Sequence, residues 1–303
     1  MFHTVTMPAY AKINLFLDIT GTLPNGYHSL NNIMQQIALH DDVTVSFEEA
    51  SETVIEIICD VPQIPCNEKN IAHKAAKLFL SKAGKAGRVK VDIKKSIPVM
   101  AGLGGSSTDG AAVLMGLNKL CGNHFSKEVL EEMGAGLGAD VPFCIRGNCA
   151  YCKGIGEQMT DIRGIESCSI LIVKPSFSNN TALAYGQYDK NPIKARPESE
   201  KLLNFLKNGN IAEAAGELYN IFEFLDNVKE IEEIKWALTN AGALGAALSG
   251  SGSAVYGIFP ERKTALSAAD KLDYPIRIVT EPVNADKYDK DNKTNLSITL
   301  EKF

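Results

Sequence analysis

A run of small residues from Pro98 to Thr108, PVMAGLGGSST, could hold a phosphate group. Glycine has no Cβ, so the backbone N–H groups of three residues in the run can approach an anion closely: Gly102, Gly104 and Gly105. A small-residue helix is predicted to begin near Asp109, and its N-terminus adds unpaired N–H donors and a partial positive charge. Ser106 and Ser107 carry hydroxyl groups that can donate to phosphate oxygens or ligate a divalent cation. The run therefore indicates a phosphate-binding loop, with a purely structural turn as the alternative.

The loop does not match either of two common nucleotide-binding glycine motifs. A Walker A loop continues into Gly-Lys-Ser/Thr, which is absent here, and the GxGxxG spacing of dinucleotide-binding proteins is also absent. The stretch ahead of the loop is rich in β-strand residues. A dinucleotide-binding dehydrogenase is therefore disfavoured.

Hydrophobic periodicity predicts the elements that flank the loop. Strands are predicted in VTMPAYAKINLFLDI, DVTVSFEE, TVIEIIC and RVKVDIKKSI. Helices are predicted over EKNIAHKAAKLFLSKAG, with Asn67 as its cap and Gly84 and Gly87 as its stop, and over DGAAVLMGLNKL directly after the loop. Residues 126–153 predict a short helix from Ser126, a glycine-broken turn, and two short strands around Pro142 and Tyr151.

Past about residue 160 the pattern starts again and predicts an α+β second half, without an internal sequence repeat. Strands are predicted in CSILIVK, GALGAAL, SAVYGIF and PIRIV, and helices near residues 181–188, 198–207, 211–224 and 228–241, with a further helix between the last two strands. A second glycine-serine loop separates GALGAAL from SAVYGIF. The polar residues after Val283 predict a solvated tail or an additional edge strand.

Composition limits the function classes. The chain has 303 residues, with 45% hydrophobic and 22% charged side chains, which is typical of a globular protein of two domains or one large one. The formal charge of −5 disfavours binding to a nucleic acid polymer. No apolar run is long enough to span a membrane and the N-terminus lacks a signal-peptide pattern. Together with an odd number of cysteines, seven, this predicts a cytoplasmic protein with reduced thiols and no membrane association.

Three further segments make the interpretation specific. They are PAYAKINLFLDITGTLPNGYHSL, LGADVPFCIRGNCAYCKGIGE and LGAALSGSGSAVYGIF, and with the glycine loop they run in order over residues 8–260. This combination resembles the GHMP kinase superfamily, and within it the branch whose substrate carries a cytidine diphosphate group. The resemblance implies an α+β, two-domain fold with the active site in the interdomain cleft. Residues 1–160 would form the N-terminal, ribosomal-protein-S5-like domain and residues 161–303 the C-terminal GHMP α/β sandwich domain.

The resemblance implies ATP-dependent phosphorylation of the 2-hydroxyl of a cytidine diphosphate-linked methylerythritol, in the non-mevalonate route to isoprenoids. Asp140 is then the base and Lys12 its cationic partner. A carboxylate can accept the hydroxyl proton, and a neighbouring ammonium group keeps that carboxylate ionised. Without the resemblance, Asp140 would be interpreted as a turn-capping residue and Lys12 as a strand-edge lysine with a solvated ammonium group.

The same resemblance assigns binding residues for ATP and magnesium. ATP would be bound by Asn70, at the adenine, and by Pro98, Ala101, Gly102, Leu103, Gly104, Gly105, Ser106, Ser107 and Thr108. Magnesium would arrive with the nucleotide, with Ser107 as a candidate ligand. Two positions depart from the family pattern, since Ser106 replaces a glycine and Thr108 a serine. These departures put nucleotide affinity in question but not activity.

The substrate residues implied by the resemblance come from both halves of the chain. They are Asn14, Tyr27, His28, Asp140, Thr181 and Tyr185. Tyr27 and Tyr185 offer aromatic faces to a pyrimidine, and His28 offers a donor and an acceptor nitrogen to its polar edge. In the superfamily the second loop closes over the phosphate site, which assigns that role to Ser249, Gly250, Ser251 and Gly252. A tight turn between two strands is the alternative for this loop.

Two other functions remain open. The first is a GHMP kinase acting on another small alcohol, which Tyr27 and His28 disfavour because such a substrate has no pyrimidine to bind. The second is a catalytically inactive nucleotide-binding regulator, which the presence of both Lys12 and Asp140 disfavours. The expected partner is a small molecule, and the expected state is a monomer or a homodimer.

Overall fold

The computed structural model describes residues 1–24, 26–179, 181–190, 196–225 and 229–284. Its contacts divide the chain into two units that alternate along the sequence. Unit 1 comprises Met1–Ala11, Leu39–Ile97 and Gly104–Gly147, and unit 2 comprises Lys12–Ala38, Pro98–Leu103 and the residues from Asn148 onward. The domain boundary predicted near residue 160 stays a prediction.

Strands and helices follow one another in a mixed order, which confirms the α+β class. The strands are β1 (His3–Thr22), β2 (His28–Glu49), β3 (Val54–Cys59), β4 (Gly87–Lys94), β5 (Cys149–Gly154), β6 (Gln158–Asp161), β7 (Ser169–Lys174), β8 (Tyr219–Asn220), β9 (Gly245–Leu248), β10 (Val255–Phe259) and β11 (Ile276–Thr280). The helices are α1 (Ile71–Ala83), α2 (Gly105–Leu120), α3 (Lys127–Ala135), α4 (Val141–Arg146), α5 (Thr181–Lys190), α6 (Ser199–Asn208), α7 (Ile211–Gly216), α8 (Lys229–Asn240) and α9 (Arg262–Lys271), with a 3-10 helix at Ile221–Phe224.

Unit 1 packs α1 to α4 against a sheet ordered β3, β4, β2 and β1. β4 runs parallel to β3 and antiparallel to β2, where Val91 faces Val45. Side chains alternate between buried and exposed along β4, as expected for a sheet with one covered face. Phe79 of α1 and Leu117 of α2 are fully buried in the core under this sheet.

The N-cap of the first helix in unit 1 lies three residues after the predicted cap. Asn70 occupies the N-cap of α1 and its side-chain oxygen accepts a hydrogen bond from Ala72 N at 2.8 Å. The predicted cap, Asn67, instead accepts from Lys69 N in the preceding turn. The predicted stop is confirmed, because Gly84 follows the helix in the left-handed conformation at φ 61°.

The strand predicted around Pro142 is wrong, because this segment forms α4. Pro142 lies in the first turn of the helix, where the backbone N–H has no intrahelical partner, so proline costs nothing there. The side chains of Val141 and Ile145 fill the core beside Gly134 of α3. The second strand of this prediction, around Tyr151, is confirmed as β5.

Unit 2 contains an antiparallel sheet ordered β11, β7, β10 and β9. β7 lies inside this sheet and all six of its residues are buried, as expected for a strand covered on both faces. The part of β2 that belongs to unit 2 pairs with β5, and β5 pairs with β6. The corresponding part of β1 pairs in parallel with β8, where Phe16 faces Tyr219.

The helix predicted over residues 211–224 is shorter than expected. α7 ends at Gly216, and the chain then extends into β8 before the 3-10 helix. The fully buried Asn220 explains this break. Its amide nitrogen donates to the carbonyl oxygens of Leu248 and Gly250, both at 2.8 Å, and its side-chain oxygen accepts from Phe222 N. These bonds hold the segment in an extended conformation.

Within the ranges given above, the structure contains no helix long and apolar enough to cross a membrane. The polar tail predicted after Val283 lies outside the described residues from position 285 onward.

Candidate active site

The first glycine loop adopts the backbone conformation that its composition predicts. Gly102 and Gly104 have φ angles of 77° and 76°, in the left-handed region that favours glycine. Gly104 is the N-cap of α2, so Ser106 and Ser107 lie in the first turn of that helix. The backbone N–H groups of this turn lack intrahelical acceptors and are suited to an anion. Ser106 is helical, so its departure from the family's glycine introduces no strained backbone.

The part of this loop that belongs to unit 2 packs directly on the second glycine loop. The Ser249 hydroxyl donates to the Gly102 carbonyl oxygen at 3.0 Å, and Ala254 N donates to the Ala101 carbonyl oxygen at 3.1 Å. A Cβ on Gly102 would lie 2.0 Å from the Ser249 carbonyl oxygen. Only glycine therefore permits this approach. The structure brings together two loops that are separated by about 150 positions in the sequence.

Lys12 is held at the junction of these two loops. Its backbone N–H donates to the Leu103 carbonyl oxygen at 3.0 Å, and its ammonium group donates to Asn14 Oδ1 at 2.7 Å. The same Asn14 oxygen accepts from Gly250 N at 2.8 Å. Lys12 is only 4% exposed. A fixed ammonium group beside a glycine-rich turn is an arrangement that stabilises phosphate charge.

Asn14 acts as the support of this arrangement. Asn14 is 1% exposed, and its side-chain nitrogen donates to Asn32 Oδ1 at 2.8 Å. Its backbone carbonyl oxygen accepts from the Tyr256 hydroxyl at 2.7 Å. Both polar atoms of the side chain therefore have protein partners. The predicted contact between Asn14 and substrate stays a prediction, and the structure adds a role in orienting Lys12.

Asp140 belongs to unit 1 and lies at the N-cap position of α4, with φ −85° and ψ −13°. Its side chain makes no capping hydrogen bond to that helix. The structural alternative for this residue, an aspartate that caps a turn, also stays a prediction. Its role as the base stays a prediction.

The predicted substrate residues His28 and Tyr185 are in contact within unit 2. Their ring centroids are 4.8 Å apart, and the Tyr185 ring also meets Phe222 edge to face at 5.0 Å. His28 Nε2 lies 2.7 Å from Asp189 Oδ1, so the carboxylate orients the imidazole. The Thr181 hydroxyl lies 2.9 Å from the Ser251 hydroxyl. This bond joins α5 to the second glycine loop, and the predicted roles of both residues stay predictions.

Tyr27 precedes His28 and is 58% exposed. The Tyr27→Ala variant is expected to weaken binding of a cytidyl substrate by about 1–3 kcal/mol, the range found for stacking of a base on an aromatic ring. The Michaelis constants for the cytidyl substrate and for ATP measure this effect, and only the first should rise. Trp236→Ala, which removes an exposed ring from α8, is the control. An unchanged Michaelis constant for the cytidyl substrate in Tyr27→Ala would show that Tyr27 does not bind the substrate.

Two residues predicted to bind ATP have local structural partners in unit 1. The Asn70 amide nitrogen donates to the Pro65 carbonyl oxygen at 2.8 Å, while its oxygen caps α1. The Thr108 hydroxyl donates to the Tyr10 carbonyl oxygen at 2.8 Å, and the residue is 2% exposed. Their contacts with nucleotide stay predictions. Thr108 shows that a hydroxyl at this position also anchors α2 to β1.

The sequence analysis did not identify the buried polar residues that bind to the two loops or lie next to them. Asn220 holds the second loop through the Leu248 and Gly250 carbonyl oxygens. In unit 1, the buried Lys95 forms ion pairs with Asp41 and with Asp109 of α2. The only local signals were Asn220 in an otherwise apolar segment and Asp109 directly after the hydroxyl residues. Neither signal reveals burial or a partner.

Two family models match the chain. The GHMP kinases N terminal domain matches residues 70–148, and the GHMP kinases C terminal domain matches residues 200–276. The first match contains the glycine loop and Asp140, and the second contains the Ser249–Ser253 loop. The chain belongs to the GHMP kinase family, whose members are ATP-dependent phosphotransferases.

Curated relatives and a solved structure narrow the similarity. The chain is 41% identical to 4-diphosphocytidyl-2-C-methyl-D-erythritol kinase of Caldicellulosiruptor saccharolyticus, over 88% of this chain and 92% of the relative. It is 40% identical to the protein of the same name from Acetivibrio thermocellus, over 89% of this chain and 95% of the relative. A crystal structure of 4-(cytidine 5'-diphospho)-2C-methyl-D-erythritol kinase aligns with a TM-score of 0.73 and 29% identity, covering 88% and 94% of the two chains.

Proposed function

We propose that this protein transfers the γ-phosphoryl group of ATP to the 2-hydroxyl of 4-diphosphocytidyl-2-C-methyl-D-erythritol, a step of the non-mevalonate route to isoprenoids. The observation that carries the proposal is the buried Lys12 ammonium group at the junction of the two glycine loops, fixed by Asn14 Oδ1 at 2.7 Å. The names of the relatives at about 40% identity supply the substrate.

Positioning and charge stabilisation account for most of phosphoryl transfer catalysis. The Lys12 ammonium group and the N–H groups of the glycine loops offset the charge of the phosphate oxygens. Asp140 accepts the proton of the 2-hydroxyl as the new P–O bond forms. ATP supplies the phosphoryl group, and the bond to its β-phosphate breaks as ADP leaves.

The donor set fits a nucleotide-bound magnesium ion rather than a protein cage. Among the described residues, there is no group of three or more His, Cys, Asp or Glu side chains placed to hold a metal. Ser107, in the first turn of α2, offers one hydroxyl oxygen. Magnesium usually keeps phosphate oxygens and water as most of its ligands, which matches this limited protein contribution. The ion would neutralise phosphate charge.

The cytidine end of the substrate is assigned to Tyr27, His28 and Tyr185, with Thr181 beside the second loop. The hydrogen bond between His28 Nε2 and Asp189 supports this assignment, since it fixes the imidazole beside the Tyr185 ring. We also propose that the protein binds small molecules only and that it is cytoplasmic. Its proposed functional state is a monomer or a homodimer.

An ADP-release assay with ATP and magnesium tests this function against its alternatives. The cytidyl substrate should give turnover, whereas mevalonate, homoserine and galactose should give none. Turnover with one of these alcohols would support the kinase activity but contradict the proposed pyrimidine-binding site. ATP binding without turnover on any of the four would favour the inactive regulator.

A further inference from the structure

Lys174, the last residue of β7, carries a buried cation in unit 2 that the mechanism above does not use. Its residue is 6% exposed, and no carboxylate in the described part of the chain lies within ion-pairing distance of it. Burial lowers the pKa of its ammonium group. A buried charge without an ionic partner is unfavourable unless hydrogen bonds offset that cost. The hydrogen bonds of Lys174 therefore indicate the role of this side chain.

The Lys174 ammonium group binds the turn that directly follows β7. It donates to the carbonyl oxygens of Pro175 at 3.2 Å and Phe177 at 3.1 Å, and to the Ser178 hydroxyl at 3.3 Å. An ammonium group has three N–H donors, and this turn offers it three acceptors. A single side chain therefore fixes the course of residues 175–178.

The same turn contacts the second glycine loop, within unit 2. The Phe177 carbonyl oxygen that accepts from Lys174 also accepts from the Ser253 hydroxyl at 2.7 Å. Further along the chain, the Asn179 side-chain nitrogen donates to the Ser251 carbonyl oxygen at 2.9 Å. Ser253 is fully buried and Ser251 is nearly so. The segment that Lys174 fixes therefore holds the loop at two of its residues.

We propose that Lys174 is a positioning residue that keeps the second glycine loop in the conformation that binds nucleotide phosphate. It acts through the Phe177 carbonyl oxygen and not by contact with the phosphate. Without the ammonium group, the turn and the loop have to be ordered when the nucleotide binds, and this ordering lowers the affinity. The inference rests on the proposed role of this loop at the phosphate site.

The test compares the Kd for ATP with magnesium, measured by calorimetry without alcohol substrate, in the wild-type protein and in Lys174→Met. Methionine has a similar length but cannot donate a hydrogen bond. The Kd should rise by about fivefold to thirtyfold, the effect of ordering one further residue on binding.

Two control variants separate this effect from a change in net charge and from a general loss of stability. Lys271→Met removes an exposed lysine from α9, and Ile234→Val removes a fully buried methyl group from α8. Both should retain the wild-type Kd for ATP, the second despite a lower melting temperature. A wild-type Kd in Lys174→Met, with or without a lower melting temperature, would overturn the proposal. Absence of ATP binding by the wild-type protein would instead refute the proposed function.

A double-mutant cycle with Ser253→Ala tests the route through Phe177. Because both side chains act through the same carbonyl oxygen, the Kd of the double variant should be close to that of the weaker-binding single variant. Fully additive effects on the free energy of binding would overturn this route and the proposal with it.

If Lys174→Met does not fold, hydrogen exchange in the wild-type protein still gives an answer. ATP with magnesium should slow amide exchange in residues 176–178 together with residues 249–253, since the proposal requires the turn and the loop to be ordered together. Protection confined to residues 249–253 would overturn the proposal.

Discussion

Asp140→Asn is expected to lower kcat by about 10²–10⁴-fold, the usual contribution of a general base, and to leave the Kd for ATP nearly unchanged. The amide has almost the same shape as the carboxylate but cannot take the proton of the substrate hydroxyl. Because the Asp140 side chain makes no capping bond to α4, the exchange should not disturb that helix. Steady-state turnover and nucleotide binding, measured on the same preparation, check both parts of this expectation.

The control for this experiment is Asp270→Asn, which removes an exposed carboxylate from α9. It should retain wild-type turnover and an unchanged melting temperature. Residual activity of Asp140→Asn above about a tenth of the wild-type kcat would exclude Asp140 as the base, because a proton acceptor contributes at least 10²-fold in typical enzymes.

Gly102→Ala is expected to raise the KM for ATP by on the order of tenfold or more and to lower the melting temperature. A Cβ at this position would lie 2.0 Å from the Ser249 carbonyl oxygen and 3.1 Å from Gly252 N, so the two glycine loops would have to separate. The φ of 77° adds about 1–2 kcal/mol of backbone strain for alanine. ATP kinetics and thermal unfolding measure the two effects separately.

Gly84→Ala provides a matched control for the strain alone. Gly84 also has a positive φ, 61°, but no atom lies within 4 Å of its added Cβ. This variant should lose stability through backbone strain and keep the wild-type KM for ATP. If Gly102→Ala behaves like Gly84→Ala in both assays, close contact between the loops has no role in nucleotide binding.

Local patterns predicted most of the elements in this fold. Gly84 ended α1 as predicted, and the apolar run CSILIVK gave the fully buried β7. Errors arose where tertiary contacts decide the conformation. β2 begins at His28, well before the predicted DVTVSFEE, because its polar early residues pair with β5. A buried side chain, Asn220, converts part of a predicted helix into β8.

The candidate site was predictable only in part. The glycines in the sequence predict both loops, because two backbone segments can approach each other closely only where side chains are absent. The bond from Gly250 N to Asn14 Oδ1 joins residues 236 positions apart, and no periodicity or spacing can predict such a bond. The resemblance identified Lys12, but only the structure shows that Asn14 holds its ammonium group. The triad of Asp41, Lys95 and Asp109 was not predicted, because buried and solvated charges look alike in a sequence.

The alternation of the two units along the chain constrains how the protein forms during synthesis. Within unit 2, Phe16 of β1 pairs with Tyr219 of β8, so about 200 residues must be made between the two partners. At ribosomal rates of roughly 5–20 residues per second, the early strand waits about 10–40 s for its neighbour. A fragment beginning at residue 161 would lack Lys12–Ala38 altogether. Unit 2 should therefore reach its native state only after translation of the chain is nearly finished, and a fragment that begins near codon 160 should not fold on its own.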